Sequence, residues 1–280
     1  MPSTLKLITL ESGVKINAVL SHPPTSSSRQ PGSPTVMFLH FWGGSANTWS
    51  LVTPLVSETY PTVALDFRGW GLSTGPDERD AYSIASLADD VEGVIAALEL
   101  DAVVLVGLSM GAKVAQLVAA RMSVSSERTA VLRGLVLVSP APPTPLTLPP
   151  DMREQQLHAY DNEQSAAFVA SNVLTASFKS RGLPEFVVGD MLRGNKWAKE
   201  AWPAYAMAED ISGAFGSITA PVLVLAATKD VVEPLGRVQA EVCSRFWGAR
   251  LEVIPGSGHL SPLDAPEAVA DHLLRFLRQV

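Results

Sequence analysis

The 280-residue chain is 47% hydrophobic and 18% charged, a balance that fits a folded globular protein and excludes a disordered one. Its 21 Lys and Arg against 28 Asp and Glu give a net charge of −7, with no block of like charge, so neither nucleic acid nor a membrane is expected as a partner. Cys243 is the only cysteine, which excludes an intrachain disulfide and a zinc–thiolate cluster, and the lack of a signal-like or membrane-length apolar run leads to the expectation of a cytoplasmic protein.

Along the chain, Leu5–Leu10 and Val14–Leu20 flank the turn sequence Glu11-Ser12-Gly13, so two strands joined by a turn are predicted. His22–Pro34 is rich in Ser and Pro and reads as an exposed loop. Thr35–Leu39 and Thr62–Asp66 are apolar runs suited to buried strands, with a helix predicted over Trp49–Glu58 between them. A helix over Ser86–Leu98, a strand over Ala102–Val106, an alanine-rich helix over Ala112–Ala120 and a strand over Leu135–Val138 continue the alternation.

The rhythm breaks at the prolines of Ala141–Pro150, and from Asp151 to about Gly213 the chain reads as helical without strands. Pro221–Ala226 and Arg250–Ile254 then read as strands, and Pro266–Leu277 as the closing helix. This pattern predicts an α/β fold with a mostly parallel sheet and helices on both faces. Residues 1–140 and 215–280 form the expected core, and 141–214 a helical cap inserted after strand six. The cap supplies Phe168, Phe178, Phe186, Met191, Trp197, Trp202, Tyr205 and Met207, most of them expected to pack the cap itself. The remainder, Trp202 among them, are expected to line a substrate pocket beneath it.

Gly107-Leu108-Ser109-Met110-Gly111 sits where the strand over 102–106 gives way to a helix. A serine at such a turn is held in a strained backbone conformation with its hydroxyl exposed above the sheet edge, and the flanking glycines let strand and helix approach closely. A serine hydroxyl is a poor nucleophile at neutral pH, so it needs a base within reach and a carboxylate to orient that base. Of the five histidines, His259 lies in the glycine-rich loop Pro255–Pro262 between the last strand and last helix, where it can reach the sheet's carboxyl edge. His22, His158 and His272 lie in the Ser/Pro loop, the cap and the last helix, and His40 ends a strand. Asp230 follows the strand resumed after the cap, in the region beyond strand ends where catalytic groups of open α/β sheets gather; Glu233 is the weaker alternative. Asp66 opens Asp66-Phe67-Arg68-Gly69-Trp70-Gly71 and is expected to stabilise a turn.

The elbow, the loop His40-Phe41-Trp42-Gly43-Gly44-Ser45, the 66–71 turn, the insertion and the Asp and His loops together resemble the α/β-hydrolase family over essentially the whole chain. In that family the chain order is nucleophile, acid, histidine, as with Ser109, Asp230 and His259. The resemblance implies an oxyanion hole formed by the backbone N–H groups of Met110 and Trp42; Phe41, standing where the family has glycine, is the alternative donor. Phe41 is also expected, with Trp202, to contact substrate. Neither a phosphate-loop spacing nor a His-Glu-x-x-His motif occurs, so no metal or organic cofactor is expected.

A serine hydrolase acting on an ester, thioester or lactone of small to medium apolar character is the expected function, with a small molecule as its partner. Perhydrolase or cofactor-free haloperoxidase activity, carbon–carbon bond hydrolysis, acyl transfer, and a binding receptor on the same scaffold remain alternatives, because function lives in pocket details.

Overall fold

The short apolar runs become the centre of a single sheet in the computed structural model, which describes residues 3–24, 32–124, 130–178 and 182–280, with the backbone alone described at 214–216. Residues 25–31 of the expected Ser/Pro loop lie outside the described residues. The strands are β1 (Ser3–Thr9), β2 (Lys15–Ser21), β3 (Thr35–Leu39), β4 (Thr62–Leu65), β5 (Ala102–Leu108), β6 (Val131–Val138), β7 (Val222–Ala227) and β8 (Arg250–Ile254). They lie in the order β1-β2-β4-β3-β5-β6-β7-β8. β2 is antiparallel to both β1 and β4, and every other pairing is parallel. Every residue of β3, β4 and β7 is buried, as expected of parallel strands covered on both faces. Each Val or Leu buried in this way stabilises the fold by roughly 1.5–3 kcal/mol.

The helices are α1 (Thr53–Val56), α2 (Ile84–Ala97), α3 (Met110–Val124), α4 (Pro150–Leu157), α5 (Glu163–Val169), α6 (Glu185–Arg193), α7 (Lys196–Ala204), α8 (Leu235–Arg237), α9 (Ser261–Asp264) and α10 (Pro266–Leu277). α2 and α3 pack together and α1 packs on α10, which places helices on opposite faces of the sheet. Among the described residues, no helix is long and apolar enough to cross a membrane.

Local expectations need correction at several element ends, β6 among them, which begins at Val131 rather than Leu135. The helix predicted over Trp49–Glu58 shrinks to α1, preceded by a 3-10 turn at Ala46–Trp49 that Ser45 caps through the Asn47 N–H at 3.0 Å. Pro54 explains this, because it lacks the N–H that would bond to the Ser50 carbonyl and its ring crowds that carbonyl, so it opens α1 rather than continuing a helix begun at Trp49. β5 also continues two residues past its predicted end, since Gly107 pairs with both Leu39 and Leu137 and Leu108 pairs with Val138.

Between β6 and β7 the described residues contain α4 to α7 and no strand. The stems of this insertion are tied together where they leave the core. Leu146 N–H donates to Met207 O at 3.0 Å, and Ile211 N–H to Pro143 O at 2.9 Å. The Lys113 ammonium, fully buried on α3, donates to Thr144 O at 3.2 Å and Met207 O at 3.0 Å. Burial pushes this ammonium down to about 8.

The chain reverses its direction of travel across the sheet between β3 and β5: β3 leads outward to β4, whereas β5 leads the other way to β6. Such a switch point opens a crevice beyond the carboxyl ends of the two strands. The loop at 40–45 and the turn at Ser109 both emerge there.

Candidate active site

Ser109 stands between the end of β5 and the start of α3 with φ of 56°, a left-handed conformation that a non-glycine residue adopts at a cost. The turn is held on both sides. Ser109 N–H donates to Val138 O at 3.1 Å, and Ser109 O accepts from Ala112 N–H at 3.0 Å and Lys113 N–H at 3.1 Å. A Cβ on Gly107 would collide with the backbone of Gly111 and Ala112, and one on Gly111 with the carbonyls of Leu39 and His40. The glycines are therefore required by strand–helix contact and by the passage of the β3 loop over the helix start. Met110 is the first residue of α3, so its N–H has no acceptor within the helix.

On the neighbouring loop, His40 is fully buried, and Phe67 N–H donates to its Nε2 at 2.9 Å. The proton therefore resides on Nδ1, which donates to Phe41 O at 2.6 Å. Burial pushes His40 down to about 4, so it is neutral at physiological pH. Gly44 N–H donates to the same Phe41 carbonyl at 3.0 Å. In a trans peptide the N–H lies opposite the C=O, so with Phe41 O turned into the His40 ring the Trp42 N–H faces the other way.

His259 lies on the loop between β8 and α9 and is 1% exposed. Its Nδ1 donates to Asp230 Oδ2 at 2.9 Å, and Asp230 Oδ1 accepts from Val232 N–H and Glu233 N–H, each at 2.9 Å. Burial would raise the Asp230 carboxyl, but the His259 charge and hydrogen bond and the Glu233 N–H outweigh it and hold it below its ordinary value. Burial likewise opposes the charged form of His259, and the Asp230 charge and hydrogen bond overcome it, leaving the imidazole above its ordinary value.

Ser109, His259, Phe41, Trp42 and Trp202 line one cavity of about 440 Å³ between the sheet and the insertion. Asp230 sits behind His259. The other walls are largely apolar, with Leu146, Leu148, Val173, Leu174 and Met207 among them. Glu233, the alternative acid, also faces the cavity, but its carboxylate pairs with Arg237 Nη1 at 3.3 Å rather than with an imidazole nitrogen. Burial pushes Glu233 up to about 7. Among the described residues, no group of three or more His, Cys, Asp or Glu side chains could hold a metal ion.

The remaining histidines lie elsewhere. His158 is exposed between Glu154 and Asp161, and His272 contacts Arg275 at 3.1 Å on α10. Phe168, counted among the aromatics of the cap, is 62% exposed because it falls on the outer face of α5 while its neighbour Val169 turns to the cavity.

Several residues at the site carry no sequence motif. Asp264 binds Gly258 N–H beside His259 at 2.8 Å and also Ala176 N–H at 2.8 Å and Ser177 N–H at 2.9 Å, joining the His259 loop to the insertion. Tyr160 donates its hydroxyl proton to Trp42 O at 2.9 Å. A lysine on the buried, mostly apolar face of α3, which also carries Gln116, was the one sequence signal for the Lys113 anchor; Tyr160 and Asp264 offered none.

A family model for the alpha/beta hydrolase family matches residues 36–272. The chain is 28% identical over 270 residues to a Mycobacterium tuberculosis protein named as a candidate non-heme bromoperoxidase, BpoC, covering 88% of this chain and 94% of that one. Its fold is similar to that of an esterase from Exiguobacterium antarcticum, with a TM-score of 0.83, 22% identity and coverage of 98% and 100% of the two chains. The enol-lactonase of Burkholderia xenovorans LB400 superposes with a TM-score of 0.81 at 17% identity, covering 98% of this chain and 100% of that one.

Proposed function

The chain belongs to the alpha/beta hydrolase family, and from that premise we propose that it is a serine hydrolase cleaving a carboxylic ester, thioester or lactone of small to medium apolar character. The observation that carries this reading is the convergence on one cavity of Ser109, on its positive-φ turn, and His259, hydrogen-bonded to Asp230.

In the proposed reaction, His259 Nε2 takes the hydroxyl proton as Ser109 Oγ bonds to the substrate carbonyl carbon, and the carbonyl electrons move onto oxygen. Asp230 holds the proton on Nδ1, which keeps Nε2 available as base, and its charge stabilises the imidazolium that forms. The Met110 and Trp42 N–H groups donate to the oxyanion. Collapse of the tetrahedral species expels the alcohol or thiol, which takes the proton from His259, and leaves an acyl group on Ser109. A water molecule deprotonated by His259 then attacks the acyl carbon, and the acid departs as Ser109 regains its proton. The insertion acts as a cap whose apolar side chains, with Phe41 and Trp202, receive the substrate's apolar portion.

The expected result with p-nitrophenyl esters is a maximum of kcat/KM at butyryl or octanoyl chains, lower values for acetyl and palmitoyl, and slow turnover of the hemisuccinate. Preference for the hemisuccinate, or turnover of none of the series, would overturn the substrate reading. Perhydrolysis is the second reading, favoured by the full-length likeness to a protein named as a bromoperoxidase. In it, hydrogen peroxide replaces water at the acyl-enzyme and yields a peracid; peracid formation in competition with hydrolysis separates the two.

A further inference from the structure

We propose that Tyr160, from the insertion, is a positioning residue of the oxyanion hole, so that the hole is complete only while the insertion is docked on the core. This rests on the reading of Trp42 as an oxyanion donor. Two peptide planes flank the Trp42 Cα, and each is fixed by its carbonyl. His40, from the core, holds Phe41 O, whereas Tyr160 holds Trp42 O at 2.9 Å. The Trp42 N–H turns with Phe41 O, which shares its peptide plane, and Tyr160 acts one plane further on, fixing the Trp42 Cα about which that first plane would rotate.

The contact goes beyond one hydrogen bond. The Tyr160 and Trp42 rings lie 4.2 Å apart between centroids at 32°, and Trp42 Nε1–H donates to Lys199 O at 3.0 Å, a second anchor from the insertion. Gly43 passes beneath Tyr160 with φ of 97°, and a Cβ there would lie 2.5 Å from the tyrosine ring. Tyr160 is 3% exposed, and burial raises its phenol well above the ordinary value, so it remains a donor across the physiological range. Undocking the insertion would release Trp42 O and the indole together, leaving the two Trp42 peptides held through Phe41 O alone, while the far end of the loop stays tied to the core by Ala46 N–H on Asp66.

The test compares Tyr160→Phe with the wild-type full chain, using an alkyl trifluoromethyl ketone and its methyl ketone analogue as inhibitors. The trifluoromethyl ketone adds the Ser109 oxygen and places negative charge on its own oxygen, whereas the methyl ketone reports binding of the chain alone. Tyr160→Phe is expected to lower kcat about tenfold and to weaken the trifluoromethyl ketone by the same factor, while KM and the methyl ketone affinity change less than about twofold. Phe168→Ala, on the outer face of the same insertion, is expected to match the wild type. Equal loss of both inhibitors, or no loss of either, would overturn the proposal. If Tyr160→Phe yields little folded protein, Trp42→Phe, which deletes the link to Lys199 O and shrinks the ring stacked on Tyr160, is expected to shift the same ratio in the same direction, and an unchanged ratio would count against the role. A wild type that binds neither ketone nor reacts with a fluorophosphonate refutes the serine-hydrolase reading itself, and this inference falls with it.

Discussion

Alanine at His259 is expected to lower kcat/KM toward an activated ester by about 10⁴-fold or more, with the fold retained. The proposed chemistry gives every proton transfer to this one imidazole, and two other titratable groups near the site are already engaged: His40 is committed at both nitrogens, and Glu233 is paired with Arg237. Asp230→Asn is expected to be nearly as severe, because an amide facing Nδ1 can force the proton onto Nε2 and so remove the base. The pH profile supplies an independent check. His259 must be neutral to accept the Ser109 proton, so wild-type kcat/KM rises with pH as the imidazole loses its proton. The Asp230 charge and hydrogen bond, assisted by Glu233, hold His259 above its ordinary 6.5 against the opposing effect of burial. The midpoint of this acid limb is therefore expected above 6.5, and the residual activity of Asp230→Asn is expected to have its limb at lower pH, since burial then acts with less opposition. A wild-type limb well below 6.5, or an unchanged limb in the variant, would argue against the assigned base.

The second large effect concerns stability. Asp66→Ala is expected to destabilise the protein by about 3 kcal/mol, measured as a lower urea midpoint with unchanged m-value. Asp66 is 2% exposed, and its carboxylate accepts from Asn17 Nδ2 at 2.9 Å, Ala46 N–H at 2.7 Å and Leu72 N–H at 2.8 Å. Those contacts join β2, the segment after the 40–45 loop and the 66–71 turn. Removing the acceptor leaves buried donors without partners, each costing roughly 1–3 kcal/mol before any water enters. Next to it, Arg68 Nε and Nη2 bind both oxygens of Asp90 at 2.6 Å, tying the same turn to α2. Asp66→Asn keeps an acceptor oxygen and is expected to lose less. A loss below about 0.5 kcal/mol for Asp66→Ala would refute the turn-holding role.

The legibility of these features in the sequence followed their range. The Ser109 turn could be read because a strand run, two close-packing glycines and a helix adjoin it within a dozen residues. Asp230 and His259 could be placed because each follows a recognisable strand, and strand ends of a parallel sheet share one edge. The helix at 49–58 misled because its apolar residues suggested a period that Pro54 interrupts. Tyr160 and Asp264 reach partners 118 and 88 residues away in the chain, through contacts that depend on how the insertion seats on the core. No local pattern encodes that seating. Glu233 was visible as a carboxylate three residues after Asp230, but its pairing required the helical turn that brings Arg237 to i+4.

The central claim is that Ser109 is the nucleophile. Intact-mass measurement after treatment with a fluorophosphonate tests it most directly, because the reagent bonds to an activated serine oxygen and the adduct persists. Wild type is expected to gain a single adduct mapped to the peptide containing Ser109, and Ser109→Ala to gain none under the same conditions. Equal labelling of the two proteins, or an adduct on another residue of the wild type, would contradict the assignment.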